Sequence, residues 1–326
     1  FLQTRVNVGQ VRNTGFELTL NAIPIASNDF SWHSDFNISI NENVISELAD
    51  NVPIVSENHI TEVGGQLGSF YGYKINGIFA YDESNAFTPD GVQLTPNFAG
   101  DGSFSNYTLN GSAYNGAVNQ ISVGGNVSGG GDYYYSDNDG NFTINDDDRI
   151  ILGNPYPKYF GGWRNQFKYK NLNFSFLFDY QFDVEVFNSF YSTMSTYTLN
   201  SWTPVPYIIY NIYEGPGDTT ALFPDAIRSQ NLLADSAPTS YWVENADFIK
   251  LRSIKLTYDL PEKWTKKLGL KRCTFFGSVN NAFTWTNYRG ADPEVTGGNA
   301  NALNSGVDPG RYPRGREYLL GTNINF

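Results

Sequence analysis

The sequence predicts an all-β fold, a transmembrane antiparallel β-barrel, from three observations. Along residues 316–326, Arg316, Tyr318, Leu320, Thr322, Ile324 and Phe326 alternate with Glu317, Leu319, Gly321, Asn323 and Asn325. This is a period-two strand, mostly apolar on one face and mostly polar on the other, and such a terminal run is expected to be paired inside a sheet. Along residues 172–183, Leu172, Phe174, Phe176, Phe178, Tyr180 and Phe182 share one face, while Asn173, Ser175, Asp179, Gln181 and Asp183 share the other, with Leu177 as the exception. That face is too apolar for water and its reverse too polar for a sandwich core, whereas lipid outside and water inside suits both. The third observation is composition. Aromatic residues make up 16% and charged residues 17% of the chain, yet mean hydropathy is −0.38, as expected where only every second strand residue need be apolar.

The 326 residues allow one large β-domain or two ordinary ones. The sequence has no apolar window of the length, about 18 residues, that a helical span needs. A net charge of −12 and the lack of a basic stripe argue against nucleic acid, whose phosphates demand clustered cations. The single cysteine, Cys273, excludes an internal disulfide and reads as a packing residue in a strand. The chain starts at Phe1 with neither an initiator Met nor a signal peptide, as expected of a mature or truncated piece.

The strands follow in order. Residues 8–23 place Phe16, Leu18, Leu20 and Ala22 opposite Gly15, Glu17, Thr19 and Asn21, and residues 24–29 form a turn. Residues 30–41 return with Phe30, Trp32, Phe36, Ile38 and Ile40 on one face, and Ser31, His33, Asp35, Asn37, Ser39 and Asn41 on the other, completing a hairpin. Residues 42–157 form a long region rich in Gly, Asn, Ser and Asp, folded rather than loose because Tyr71, Tyr73, Ile75, Phe79 and Tyr81 keep period two. Residues 158–169 carry Trp163, Phe167 and Tyr169, Lys170-Asn171 turns, and the aromatic strand follows. After a second long loop, 184–243, residues 247–260 form a strand whose apolar face switches near Ser253, from Ile249 and Leu251 to Ile254, Leu256 and Tyr258; a β-bulge would produce that switch. A basic turn at 261–272, with room for one helical turn, leads to a strand marked by Cys273, Phe275, Val279, Phe283 and Trp285. A loop at 287–313 precedes the last strand.

If Phe326 ends on the periplasmic side, the turns 24–29, 170–171 and 261–272 fall there and the long segments 42–157, 184–243 and 287–313 fall outside. Short inner turns and long outer loops are the rule for outer-membrane barrels. The run 71–81 then belongs to the outer loop region. About seven spans remain, an odd number that single-chain bacterial barrels do not close with, so the chain is expected to form part of a larger barrel.

The runs NVGQVRNTGFELTLN (7–21), GSFYGYKINGIF (68–79), ILGNPYPKYFGGWRNQFKYK (151–170), YWVENADFIKLRSIKLTYDLP (241–261) and NNAFTWTNYRGADPE (280–294) together resemble the C-terminal part of the SusC/RagA family, the TonB-dependent outer-membrane transporters of Bacteroidota. The resemblance implies a barrel of about 22 strands closed by a plug domain. It also implies a SusD-like surface lipoprotein as lid, energisation through TonB, and import of oligosaccharides or peptides across the outer membrane. It places the plug, the TonB box and the earlier strands outside this sequence.

Within that frame Asp137, Asp139, Asn141 and Asp148 occupy the first, third, fifth and twelfth positions of a calcium-loop pattern, with Ile144 at the eighth, and the family often shows an acidic loop here. The pattern departs from the standard loop: Phe142 stands at the sixth position where Gly gives the sharp turn, Gly140 comes two residues early, and Asp148 is shorter than the usual Glu, for which Asp146 or Asp147 could substitute. Ca2+ binding and a merely solvated acidic turn are both open readings. Trp202, Tyr207, Tyr210 and Tyr213, near Pro204 and Pro206, offer aromatic faces to sugar rings or peptide side chains, or simply pack the loop or meet a lid protein. Trp163, Trp285 and Tyr288 read as girdle aromatics. His33 and His59 lie in no zinc motif, His33 on the water face, and no nucleophile elbow or phosphate loop occurs, so the chain is not read as an enzyme. Two rivals stand beside the transporter: a passive porin or siderophore receptor without a SusD-like partner, and a secreted all-β binding or adhesion domain.

Overall fold

The computed structural model describes residues 9–56, 58–195, 206–225, 238–294 and 301–326. Its frame is a seven-stranded antiparallel meander in strict chain order: β1 (Gly9–Ala26), β2 (Phe30–Leu48), β3 (Tyr159–Tyr169), β4 (Leu172–Phe182), β5 (Phe248–Asp259), β6 (Arg272–Thr286) and β7 (Glu317–Asn325). Each strand pairs with the next, and the sheet does not close on itself. Among the described residues the outer edges of β1 and β7 therefore lack ladder partners, which bilayer hydrocarbon does not tolerate without further strands.

Register fixes the faces. One row runs Leu20, Phe36, Trp163, Phe178 and Leu251, and the next runs Asn165, Phe176, Ile254, Val279 and Tyr318. These lie on the apolar face, where Leu320 is 86% exposed and Tyr318 71%. The opposite face carries Glu17, Asp35, Arg164, Gln166, Ser175, Lys255 and Ser278 in equivalent registers. Where β2 and β3 pair, two polar residues, Ser34 and Asn165, fall on the apolar face. The indole of Trp32 donates to Asn165 Oδ1 at 2.8 Å and that of Trp163 to Ser34 Oγ at 3.0 Å, so each is hydrogen-bonded beneath an aromatic ring. Cys273, near the start of β6, is buried.

The apolar switch in the fifth strand is a bulge at Arg252: Leu251 pairs with Phe178 and Ser253 with Leu177, leaving Arg252 as the extra residue. Two boundaries differ from the sequence expectation. β1 runs through Pro24 to Ala26, because an irregularity between Ala22 and Ile25 accommodates a residue without an N–H, so the turn shrinks to 27–29. β2 continues from Asn41 to Leu48, since Glu42 to Glu47 still pair with β1, and the first outer segment begins at residue 49 rather than 42.

The short-turn rim is laced by main chain. Lys170 N donates to Asp29 O at 2.8 Å, Asp259 N to Asn171 O at 2.8 Å and Lys271 N to Asn325 O at 2.8 Å. The 261–272 turn contains the short helix Glu262–Lys267.

The apolar core lies outside the meander, because its strands divide their side chains between two exterior media. Tyr73, Ile75, Phe79, Phe87, Tyr133, Tyr135 and Ile144 build one cluster of the outer cap; Phe70, Phe187, Met194, Ile208, Phe223 and Trp242 build a second. Small sheets frame them: Ser69–Gly72 pairs with Ile150–Gly153, and Ile75–Ile78 with Tyr133–Tyr135. The strand-like run near 71–81 thus sits in the cap, outside the meander. Bridges from Tyr73 to Thr239 and from Phe187 to Val307 join the three outer segments into one body.

Candidate functional site at the outer mouth

Where the cap meets the water-facing wall, the chain builds a chain of ion pairs. Lys250 projects from β5 on the polar face, opposite Asp179 of β4, and the bulge adds Arg252 beside it. The segment after β6 returns two carboxylates to them. Lys250 Nζ donates to Asp292 Oδ1 at 2.5 Å and to Glu294 Oε2 at 2.9 Å, Arg252 Nη2 donates to Glu294 Oε1 at 2.6 Å, and Arg252 Nε donates to Asp179 Oδ2 at 2.6 Å. Burial alone would raise the Glu294 carboxyl, but Arg252 and Lys250 hold it down to about 2.

The same segment is fixed higher up. Arg289 Nε donates to Glu244 Oε2 at 3.0 Å and its guanidinium lies 5.0 Å from the Trp242 ring. Tyr288 donates to Asp308 Oδ2 at 2.7 Å; burial and that carboxylate push the Tyr288 hydroxyl well above its ordinary pKa. Tyr288 is therefore no girdle residue: only 5% exposed, it packs with Val184, Val186 and Ala246 under the cap. Trp163 and Trp285 do sit exposed on the apolar face. Alternation marks Lys250 and Asp179 as water-facing, but no spacing pairs Lys250 and Arg252 with carboxylates some forty positions on.

The acidic loop links Tyr133–Tyr135 to Ile150–Gly153. Carboxylate oxygens of Asp137, Asp139 and Asp148 lie within 4.8 Å of one another. Main-chain N–H groups hold them: Gly140 and Phe142 donate to Asp137 at 2.9 and 2.8 Å, Asn141 to Asp139 at 3.0 Å, and Asn138 and Asn145 to Asp148 at 2.7 and 2.9 Å. Asp148 is fully buried, and burial raises the Asp137 carboxyl despite its N–H donors. Asn141 turns its amide nitrogen to Asp139 at 2.5 Å and its oxygen to the N–H of Thr143. Phe142 adopts φ 63° at the sixth position, the left-handed conformation that Gly would supply. Ile144 at the eighth is buried and pairs with Val123. Asp146 instead accepts from the Tyr73 hydroxyl at 3.3 Å and faces Arg149, so Asp148 rather than Asp146 or Asp147 completes the cluster. Hard oxygen donors at these spacings fit a calcium-type cation.

The loop aromatics separate. Tyr207 packs edge-on to Phe223 with the Arg289 guanidinium 5.2 Å from its ring, whereas Tyr213 is buried and donates to Ala80 O at 2.9 Å. Tyr210 is 84% exposed and lines a polar cleft of about 490 Å³ with Asn211, Glu214, Asp218 and Thr220. Trp202 lies outside the described residues. His59, buried against Phe70 and bonded to Ser305 O at 2.9 Å, is a packing group whose pKa burial lowers; His33 faces water on the lumen side.

No family model matches the chain. TonB-dependent receptor P39 of Formosa agariphila is 41% identical over 330 residues, covering 100% of this chain and 31% of that protein. TonB-dependent receptor SusC of Bacteroides thetaiotaomicron is 24% identical over 99% of this chain and 27% of its own length. The solved structure of the RagAB peptide transporter matches with a TM-score of 0.67 at 20% identity, over 98% of this chain and 30% of that one. The chain thus spans about three-tenths of the length of the proteins it matches.

Proposed function

The chain belongs with the TonB-dependent receptors of the SusC/RagA family, and on that premise we propose that it supplies wall and outer cap to a barrel that imports oligosaccharides or peptides across the outer membrane. One observation supports the reading above all: a meander with an apolar outer face and a polar inner face carries, at one end only, a folded cap braced against the inner wall by Lys250, Arg252, Asp292 and Glu294. Such a wall separates lipid from a hydrated lumen. The Asn, Gln, Ser and Asp side chains of the inner face match hydroxyls and amides equally, so both substrate classes remain within the proposal. Tyr210 and its cleft supply a ligand-facing aromatic at the mouth, and a SusD-like lipoprotein seats on the cap as lid while TonB energises transport. A cation held by Asp137, Asp139 and Asp148 stiffens the cap.

The test is uptake by cells carrying or lacking the full-length receptor, offered labelled oligosaccharides or peptides, with and without TonB, alongside the identity of whatever co-purifies in mild detergent. Uptake that requires receptor and TonB, with a lipoprotein retained, is the expected result. Uptake independent of TonB would favour a passive pore, and a protein that leaves membranes without detergent would overturn the lipid-facing wall.

A further inference from the structure

The outer face is not uniformly filled. Gly277 stands on the apolar side of β6, paired with Leu256 and Leu320, and its missing side chain leaves a groove of about 580 Å³ walled by Leu256, Tyr258, Phe275, Leu320 and Thr322. From Gly277 to Arg272 at the strand end is about 16 Å along the backbone at 3.3 Å per residue. The groove therefore lies in the leaflet on the short-turn side and runs toward the 261–272 turn.

That turn is the strongest local concentration of positive charge in an acidic chain. It carries Lys263, Lys266, Lys267, Lys271 and Arg272 against Glu262 alone. Lys266 pairs with Glu262 and Arg272 with Asp259, whereas Lys263, Lys267 and Lys271 have no carboxylate within ion-pair distance among the described residues. Trp264 of the turn's short helix and Leu268, which caps that helix one turn on, are 62% and 64% exposed, although Thr265 between them is buried. A Trp and a Leu held among lysines at the end of a lipid-facing wall are the groups that settle at a headgroup boundary.

We propose that this groove and turn form a site for one anionic glycerophospholipid of that leaflet, an acyl chain filling the Gly277 notch and the phosphate meeting Lys263, Lys267 and Lys271. The site rests on the reading of this face as lipid-facing. What the two halves add is selectivity: apolar continuity alone would accept any lipid, whereas three lysines of the adjoining turn, unpaired among the described residues, favour a headgroup with net negative charge.

The full-length receptor in mild detergent is equilibrated with an equimolar mixture of dioleoyl phosphatidylglycerol and dioleoyl phosphatidylcholine, and retained lipid is measured by native mass spectrometry. Wild-type protein is expected to retain phosphatidylglycerol over phosphatidylcholine by roughly tenfold or more, and the K263Q/K267Q/K271Q variant to lose that preference. Gly277→Leu should lower retention of both lipids; its backbone is not in the left-handed region and its nearest neighbour is the flexible Leu320 side chain at 3.1 Å. Heat-modifiable migration reports assembly, and if Gly277→Leu fails to assemble, the lysine variant decides alone. No headgroup preference in wild type, or an unchanged preference in the lysine variant, overturns the proposal. Recovery of the receptor in the detergent-requiring outer-membrane fraction separates that failure from failure of the lipid-facing wall itself.

Discussion

Replacing Phe176 with Arg tests the two-faced wall at its most demanding point. Phe176 lies four residues from the Leu172 end of β4, about 13 Å along the strand at 3.3 Å per residue, which a tilt of about 40° reduces to roughly 10 Å of depth. Half of an apolar band about 25 Å tall is about 12 Å, so Phe176 sits close to the midplane, where Arg on the lipid side costs roughly 2–4 kcal/mol. It also loses the neighbouring rings of Phe178 at 5.5 Å and Trp163 at 5.9 Å, so the upper part of that range is expected. Asn280, one rung away on the lumen face and opposite Glu317, is the control: Asn280→Arg gains a carboxylate neighbour and should change stability by no more than about 0.5 kcal/mol. Urea titration of the receptor folded into phospholipid vesicles should show the folded-to-unfolded ratio falling about 30- to 1,000-fold for Phe176→Arg alone. Equal effects of the two substitutions, or none for Phe176→Arg, would refute the assignment of faces.

Glu294→Gln should loosen the brace between cap and wall by about 1–3 kcal/mol, less than for a fully buried pair because the carboxylate keeps some contact with water. Hydrogen exchange of residues 287–294 should then rise about 5- to 150-fold, and unchanged exchange would assign the brace to Tyr288 and Arg289 instead. The lowered pKa of His59 means that the unfolded cap binds a proton more readily than the folded one. Stability from this group is present above the unfolded pKa of about 6.5 and declines as pH falls below it. Protection factors of residues 58–72, which allow for the slower intrinsic amide exchange at lower pH, should fall between pH 7.5 and 5.5 in the wild type and not in His59→Gln; identical protection profiles would rule His59 out. Calcium should slow exchange across residues 137–148 with a dissociation constant of about 10⁻⁴–10⁻³ M, as in extracellular modules. Asp139→Asn, which spares the main-chain N–H groups that donate to Asp137 and Asp148, should weaken that protection; a loop indifferent to calcium and to chelator would leave only a solvated acidic turn.

Much of the wall was legible because its physics is local. Alternation assigned Leu172 to Phe182 to two media, and the displacement from Leu251 to Ile254 announced the bulge before any pairing was known. Pro24 misled because proline usually reads as a turn, whereas here an irregular register absorbs it. Residues 42–48 misled because their polar positions look like loop, yet they keep pairing with β1 while Asn43 and Ile45 are buried against residues 64–67 of the cap. The cap was opaque for the opposite reason. Its cores gather Phe70, Phe187, Phe223 and Trp242 from distant segments, and nothing periodic joins them. Tyr288 shows the boundary between the regimes: two residues after β6, the side-chain pattern no longer says which medium a ring will meet.

The bulge at Arg252 also says how this wall can vary. Alternation acts as a reading frame with a period of two, and were Arg252 drawn into the ladder opposite Leu177 instead of bulged, the frame would shift for the rest of β5, turning Ser253, Lys255 and Thr257 into hydrocarbon and Ile254 and Leu256 into water. Cap segments can gain or lose residues freely at their surface turns, while a spanning strand admits a change in length only in pairs or beside a second bulge. Divergence in length among such barrels should therefore collect in the cap, with the spanning strands keeping their parity.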